Sequence, residues 1–309
     1  MKSTTTWKQL RLAATSLVTV ALMVGATSLS ASAATDLNAE GLIIPQRQNW
    51  SFAGVFGHYD RAQLQRGFKV FHDVCSQCHK ASHLTFRELS EPGGPEFTPA
   101  QIKALAATYK IKDGPNDQGD MFLRPGKPSD SWPWTFPNDE AAKSALGAVP
   151  PDMSLLGKAR TVQYGFPYFL AEGLPFFEDE EQGPDYIYSL IKQGYIDPPK
   201  GMKIPNGVYY NAVIQGTNHL IKMPSPLAMI FDSAGKPNDP KFYTDGTPIT
   251  EDQVARDVSA FLMWAAEPKL EQRKRMGFNV LVFLGVFATL LFLVKKKIWA
   301  GIHDDSPSI

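Results

Sequence analysis

Cys75-Ser76-Gln77-Cys78-His79 holds the only two cysteines of this 309-residue chain and ends in a histidine. Thiols three positions apart on a helical turn can each add to one vinyl group of a porphyrin, while the next residue brings an imidazole nitrogen under the iron. The spacing is that of a covalently attached haem c. Each rival reading lacks a part. A disulfide here would close a very short loop and restrain little chain, a zinc site needs two more ligands at comparable spacing, and a redox dithiol needs a βαβ setting that the flanking pattern does not offer. With both thiols committed, no disulfide braces the remaining loops, so the macrocycle must serve as core material.

Outward from the motif, caps and apolar stripes place the helices. Asp60 with Gln63 resembles a capping box, and Leu64, Phe68 and Phe71 form a stripe that runs directly into Cys75. Thr98-Pro99 opens a second helix carrying Ile102 and Leu105, and Asp185 is expected to open a third that Gly194 closes. Thr250 with Gln253 begins the last soluble helix, whose stripe is Val254, Val258, Phe261 and Leu262. Plentiful proline and glycine predict short helices joined by long ordered loops in preference to sheets, and no linker or repeat divides the region.

The two ends set the compartment. Lys2, Lys8 and Arg11 precede an apolar run from Leu12 to Val24, and Ala31-Ser32-Ala33 supplies small-residue cleavage chemistry, so residues 1–33 read as a secretory signal cut near Ala33 or Ala34. From Met276 to Val294 only Asn279 is strongly polar, and at 1.5 Å per residue this run reaches about 28 Å, close to the hydrocarbon thickness of a bilayer. Basic residues flank it on both sides, so the cleaved signal decides the direction: residues 34–268 outside the cytoplasm, an anchor with basic flanks over 269–297, and a cytoplasmic tail over 298–309. Pro268 separates the last soluble helix from the anchor, which is expected to tether the domain without shaping the haem site.

The whole chain is formally neutral, but from the cleavage site to the end of the span it carries 25 basic and 29 acidic residues, net −4. A mildly acidic exported surface suits a basic soluble partner and argues against nucleic acid. Its densest acidic run, Glu178-Asp179-Glu180-Glu181, reads first as a solvated loop.

His79 supplies one axial bond, and the sixth position decides the chemistry. An open site suits gas binding or peroxidase activity, whereas methionine opposite histidine saturates the iron and raises its potential, as an electron carrier requires. His72 and His83 lie too near the motif to reach the opposite face easily, His303 lies beyond the span, and Met263 sits beside a core stripe. Met223, followed by Pro224-Ser225-Pro226, has a backbone stiff enough to aim a thioether, and His219 four residues earlier is its competitor. Arg124 and Arg160 are the candidates to face the haem propionates, because a guanidinium matches a carboxylate bidentately.

The constellation of leader, one CxxCH, a late Met-Pro-x-Pro and a C-terminal anchor resembles the cytochrome c1 family, the haem c subunit of cytochrome bc1 complexes, in its bacterial form. The resemblance covers nearly all of the expected mature chain. It rests further on Arg124-Pro125-Gly126, Pro150-Pro151-Asp152, Gly194-Tyr195 with Pro198-Pro199, Asp245-Gly246-Thr247-Pro248, and Trp264-Ala265-Ala266-Glu267-Pro268 followed by Arg273-Lys274-Arg275-Met276-Gly277. It implies a mainly α fold, a c-type cytochrome domain of short helices and long ordered loops around one haem plus one C-terminal transmembrane helix. It also implies Met223 as the sixth ligand, Arg160 ahead of Arg124 at a propionate, and Tyr186 beside the haem. Ala145 and Leu146 stand where the family commonly has asparagines, so an asparagine contact to the haem edge is not expected.

The implied function is electron relay in the bacterial inner membrane, with the haem domain in the periplasm. The subunit would sit with cytochrome b among membrane lipid, accept electrons from the Rieske iron-sulfur protein and pass them to a soluble cytochrome c, with no substrate chemistry of its own. A membrane-anchored cytochrome serving a terminal oxidase is the alternative within the same chemistry. A haem peroxidase or sensor with an exchangeable sixth site is the alternative outside it.

Overall fold

The computed structural model describes residues 43–160, 182–214 and 217–300. The motif is delivered by α1 (Arg61–Asp73), capped by the Asp60 carboxylate accepting from the Gln63 N–H at 3.2 Å, with Leu64, Phe68 and Phe71 buried. A single 3₁₀ turn, Cys75–Gln77, continues from it. Next come α2 (Pro99–Thr108), opened by a full Thr98/Gln101 capping box, and a hairpin of β1 (Lys110–Asp113) and β2 (Phe122–Pro125) with Ile111 opposite Arg124. Two short helices follow, α3 (Asp139–Leu146) and α4 (Leu156–Ala159), and then α5 (Gln182–Lys192). The minimal antiparallel pair β3 (Tyr209–Tyr210) and β4 (Leu220–Ile221) precedes α6 (Glu251–Ala266) and α7 (Leu270–Trp299).

Helix α6 is the spine, and α1, α4 and α5 all pack on it. Its stripe of Val254, Val258, Phe261 and Leu262 is fully buried, and each such side chain contributes about 1.5–3 kcal/mol. Close approach is built into the glycines: a Cβ on Gly67 of α1 would sit 2.0 Å from the Asp257 carbonyl, and one on Gly157 of α4 would sit 2.7 Å from that of Leu262. An ion pair locks the α1–α6 crossing, with Arg66 Nε 2.8 Å from the buried Asp257 carboxylate and Nη1 2.8 Å from Asp245. Around it Phe68, Phe71, Phe86, Tyr109, Trp132 and Phe261 form one aromatic cluster. A smaller core of Ile43, Tyr210, Ala212 and Val213 lies apart, and Tyr186 packs against both.

One expectation changes, and the contacts past Pro268 add to another. Helix α5 already includes Gln182, so Asp185 is not its cap; the Asp185 side chain is buried in the first turn and accepts from the Gln48 N–H at 2.9 Å and Trp50 Nε1 at 2.8 Å. Gly194 does close the helix, through its N–H to the Ser189 carbonyl at 2.8 Å. At Pro268 the helix breaks as expected, yet packing continues past it: Leu270 is fully buried, Glu271 accepts from the Tyr59 N–H at 3.0 Å, and Lys274 Nζ donates to the carbonyls of Phe52 and Gly54 at 2.7 and 2.6 Å. Beyond Lys274 the helix is exposed along its length, and it is the one described helix long and apolar enough to cross a membrane.

Candidate functional site

The chain coils tightly through the motif. The N–H groups of Cys78 and His79 both bond the Cys75 carbonyl, at 3.1 and 2.9 Å, and the Ser76 hydroxyl donates to His72 O at 2.7 Å. Two further motif carbonyls are met from a distant loop, Trp134 Nε1 donating to Cys78 O at 2.8 Å and the Thr135 hydroxyl to Ser76 O at 3.2 Å. Lys80 lies over the Trp134 ring, 4.9 Å from its centroid, and also pairs with Asp139.

His79 is buried, with Nδ1 2.9 Å from the Pro151 carbonyl. A carbonyl only accepts, so Nδ1 carries the proton and Nε2 is left with its lone pair, the tautomer a metal-ligating imidazole needs. Burial lowers the imidazole pKa, against the opposing pull of the Pro151 bond and the Asp152 charge. The loop carrying Pro151 is fixed in turn. Asp152 accepts from the Ser82 N–H at 3.2 Å and the Ser154 N–H at 2.8 Å, the Met153 N–H reaches Lys80 O at 2.8 Å, and the Ser154 hydroxyl accepts from the His83 N–H at 3.0 Å.

Both cysteines are free thiols. Burial, with a smaller push from Cys78, raises Cys75 to about 12, and burial also raises Cys78. Thiols held protonated in an apolar setting are poor exchange nucleophiles, which disfavours the redox dithiol. Among the described residues no three His, Cys, Asp or Glu side chains gather to hold a metal ion. Cys75 instead opens on a cleft lined by Val70, Val74, Ile191, Pro226, Leu227, Ile230, Val254 and Val258. An apolar cleft lined by Cys75, a second free thiol at Cys78 and an imidazole with its Nε2 unbonded fit a covalently held porphyrin.

Met223 is half-buried in the bend between β4 and a 3₁₀ turn, Pro226–Met229, whose Leu227 lines the same cleft as Cys75. The Tyr195 hydroxyl holds this bend by donating to the carbonyls of Met223 at 3.0 Å and Pro224 at 3.3 Å. His219 has a left-handed backbone (φ 61°), its Nδ1 is bonded to Ile214 O at 2.8 Å, and its ring contacts Tyr210 of the smaller core. Met263 is fully buried in α6, and His83 is exposed.

Of the arginines, Arg160 ends α4 and is exposed, close enough for its charge to temper the rise that burial causes in the Tyr186 phenol pKa. Arg124 is engaged elsewhere. It bonds Asp113, and its Nη1 and Nη2 bond Asp130 at 2.7 and 2.9 Å, which braces the hairpin. The acidic run 178–181, the leader and His303 lie outside the described residues. Trp134, Thr135, the Pro151 carbonyl and the Tyr195 hydroxyl are the positioning groups that pattern alone did not reveal. Their only trace in the sequence is that Pro151 and Tyr195 fall within the family motifs.

The chain matches the family model described as the Cytochrome C1 family over residues 50–302. It is 49% identical over 284 residues to "Cytochrome b/c1" of Bradyrhizobium diazoefficiens, covering 91% of this chain but 39% of that longer protein. It is 42% identical to "Cytochrome c1" of Blastochloris viridis, covering 88% of this chain and 92% of the relative. With "Cytochrome c1" of Rhodospirillum rubrum it shares 40% identity over 93% and 99% of the two chains. A motif helix ending in a preformed histidine site, a mainly helical domain, a long apolar C-terminal helix and these matches agree: the chain belongs to the cytochrome c1 family.

Proposed function

We propose that this chain is the electron-relay subunit of a quinol–cytochrome c reductase. It takes single electrons from a Rieske iron-sulfur protein and passes them to a soluble cytochrome c, beside cytochrome b in a bacterial inner membrane. Cys75 and Cys78 would hold the haem covalently, with His79 and Met223 as axial ligands. Haem so ligated supplies a one-electron couple whose potential the thioether raises. The chain's own residues do the positioning. Pro151 orients His79, Tyr195 holds the Met223 bend, the apolar cleft excludes water, and Arg160 with Tyr186 stands where a carboxylate edge could be met. Arg124, committed to Asp113 and Asp130, is left out of this set.

The observation that carries the reading is the buried His79 with its Nδ1 bonded and Nε2 unbonded, beside two free thiols and a cleft shared with the segment after Met223. In this reading a signal cut near Ala33 or Ala34 exports the domain, the span over 276–294 anchors it in lipid, and the domain's boundary runs to Lys274. Purification from native membranes, with the bound subunits identified, tests the assignment. Cytochrome b and a Rieske protein in the preparation, and quinol-driven reduction of cytochrome c that Cys75→Ala abolishes, are expected. Copper-containing oxidase subunits in their place would favour the terminal-oxidase carrier.

A further inference from the structure

Phe56 is 79% exposed, although the loop that presents it is rigidly built. Ala53 N–H bonds Trp50 O, Gly57 N–H bonds Gly54 O, and His58 N–H bonds Ser51 O, each at 3.0–3.1 Å. Gly54 has φ +69°, and a Cβ on Gly57 would fall 2.1 Å from the Ala53 carbonyl, so only glycine permits the loop's shape. The buried Lys274 ties the loop to α7 through the carbonyls of Phe52 and Gly54. One exposed ring alone needs no partner; one continuous with a larger exposed apolar surface marks a contact site.

The position of the ring says which. Its centroid lies 5.7 Å from that of Phe278, edge to face, and Phe278 is two residues inside the apolar run that begins at Met276. Phe278 is itself 46% exposed, so the pair does not bury itself. The exposed Arg275 stands one residue before the run, at the level where a guanidinium meets lipid phosphates. The geometry points to the 54–57 loop as a second membrane contact of the domain, with Phe56 inserted among the lipid chains at the interface beside the first turn of the span. The contact would fix the tilt of the domain over the bilayer, a job one helix alone does poorly.

The inference rests on α7 being the membrane anchor, so the test carries a label for each. Phe56→Cys and Leu284→Cys are spin-labelled in the full-length holo-protein, purified with the subunits it carries and reconstituted in phosphatidylcholine nanodiscs; Lys103→Cys is the aqueous control. The label at 56 is expected to collide more with oxygen than with a water-soluble nickel chelate, as the label at 284 does, with the reverse at 103. Greater access of the nickel chelate at 56, or shielding there from both reagents as a protein neighbour would cause, overturns the lipid contact. Water access at 284 overturns the anchor reading itself.

Discussion

On the histidine side of the motif, Thr135, Trp134 and the Pro151 carbonyl reach Ser76, Cys78 and His79, and Asp152 and Ser154 pin the loop that carries Pro151. On the methionine side, the Tyr195 hydroxyl reaches two carbonyls of an otherwise extended bend, and the Met223 side chain is half-buried. The histidine is therefore oriented by the polypeptide before any metal arrives. The methionine is positioned by its main chain, and in the proposed ligation the bond to iron would complete its placement. A carrier that shuttles electrons without exchanging ligands needs both, but only the histidine side has redundancy, so perturbations should reveal themselves first on the methionine side.

The largest expected effect is that of Met223→Leu. Haem should remain attached through Cys75 and Cys78, the ferrous protein should bind carbon monoxide, and the potential should fall by on the order of a tenth of a volt or more, within the roughly 0.8 V that axial ligands span. Electron flow to cytochrome c should stop. His219→Ala should leave all of these unchanged, and redox titration of the two variants side by side distinguishes the assignments.

Truncation comes next. A chain ending at Glu267 loses buried Leu270 and the bonds from Glu271 and Lys274; one ending at Arg275 keeps them. Leu270 alone is worth about 1.5–3 kcal/mol, so the shorter chain should melt several degrees lower. Because Lys274 braces Phe52 and Gly54, next to the Trp50 that bonds Asp185 in α5, loosening should show as carbon monoxide access and not as loss of covalent haem. Equal melting temperatures would put the domain boundary at Pro268 after all.

Asp185 tests the wall behind the methionine side by pH. Burial outweighs its bonds to Gln48 and Trp50 and raises it from 3.8 to about 6. A folded-state pKa above the unfolded one means the native protein holds the extra proton between these values, so the group's contribution to stability falls as pH rises from about 4 to 6 and is flat above. Asp185→Asn keeps an acceptor without the charge. Its stability relative to the parent should grow across that window by about 1–3 kcal/mol, measured by denaturant unfolding at pH 4 and 7. An opposite slope would mean the carboxylate is stabilised by nearby cations more than burial penalises it.

Tyr195→Phe should be the mildest change, costing about 1 kcal/mol for the lost hydrogen bonds. Covalent haem and the His79 side should be untouched, while methionine dissociation, followed by carbon monoxide binding on warming, should set in at a lower temperature than in the parent. If Trp134→Phe proved the more damaging to ligation, the ranking of the two sides would be inverted.

The motif, both flanking helix caps, the α6 stripe and the span were all legible in the sequence, because they are set by spacing within one turn, by side chain to main chain bonds three residues apart, and by the length of an apolar run. The competition between Met223 and His219, and between Arg160 and Arg124, was not settled by residue type, since thioether and imidazole can both ligate iron and the two arginines are chemically identical. Tertiary structure adds what else each side chain touches: Arg124 bonds Asp113 of its own hairpin and Asp130 beyond it, and the His219 ring contacts Tyr210 of the smaller core. The same is true of Asp185, a plausible cap by pattern that packing buries as an acceptor for Trp50. Lys274 reads as one more basic residue before a membrane, yet folding brings it to carbonyls more than two hundred positions away. Local rules determine which elements form; which donors and acceptors are left over for a cofactor or a bilayer depends on long-range contacts that no local pattern encodes.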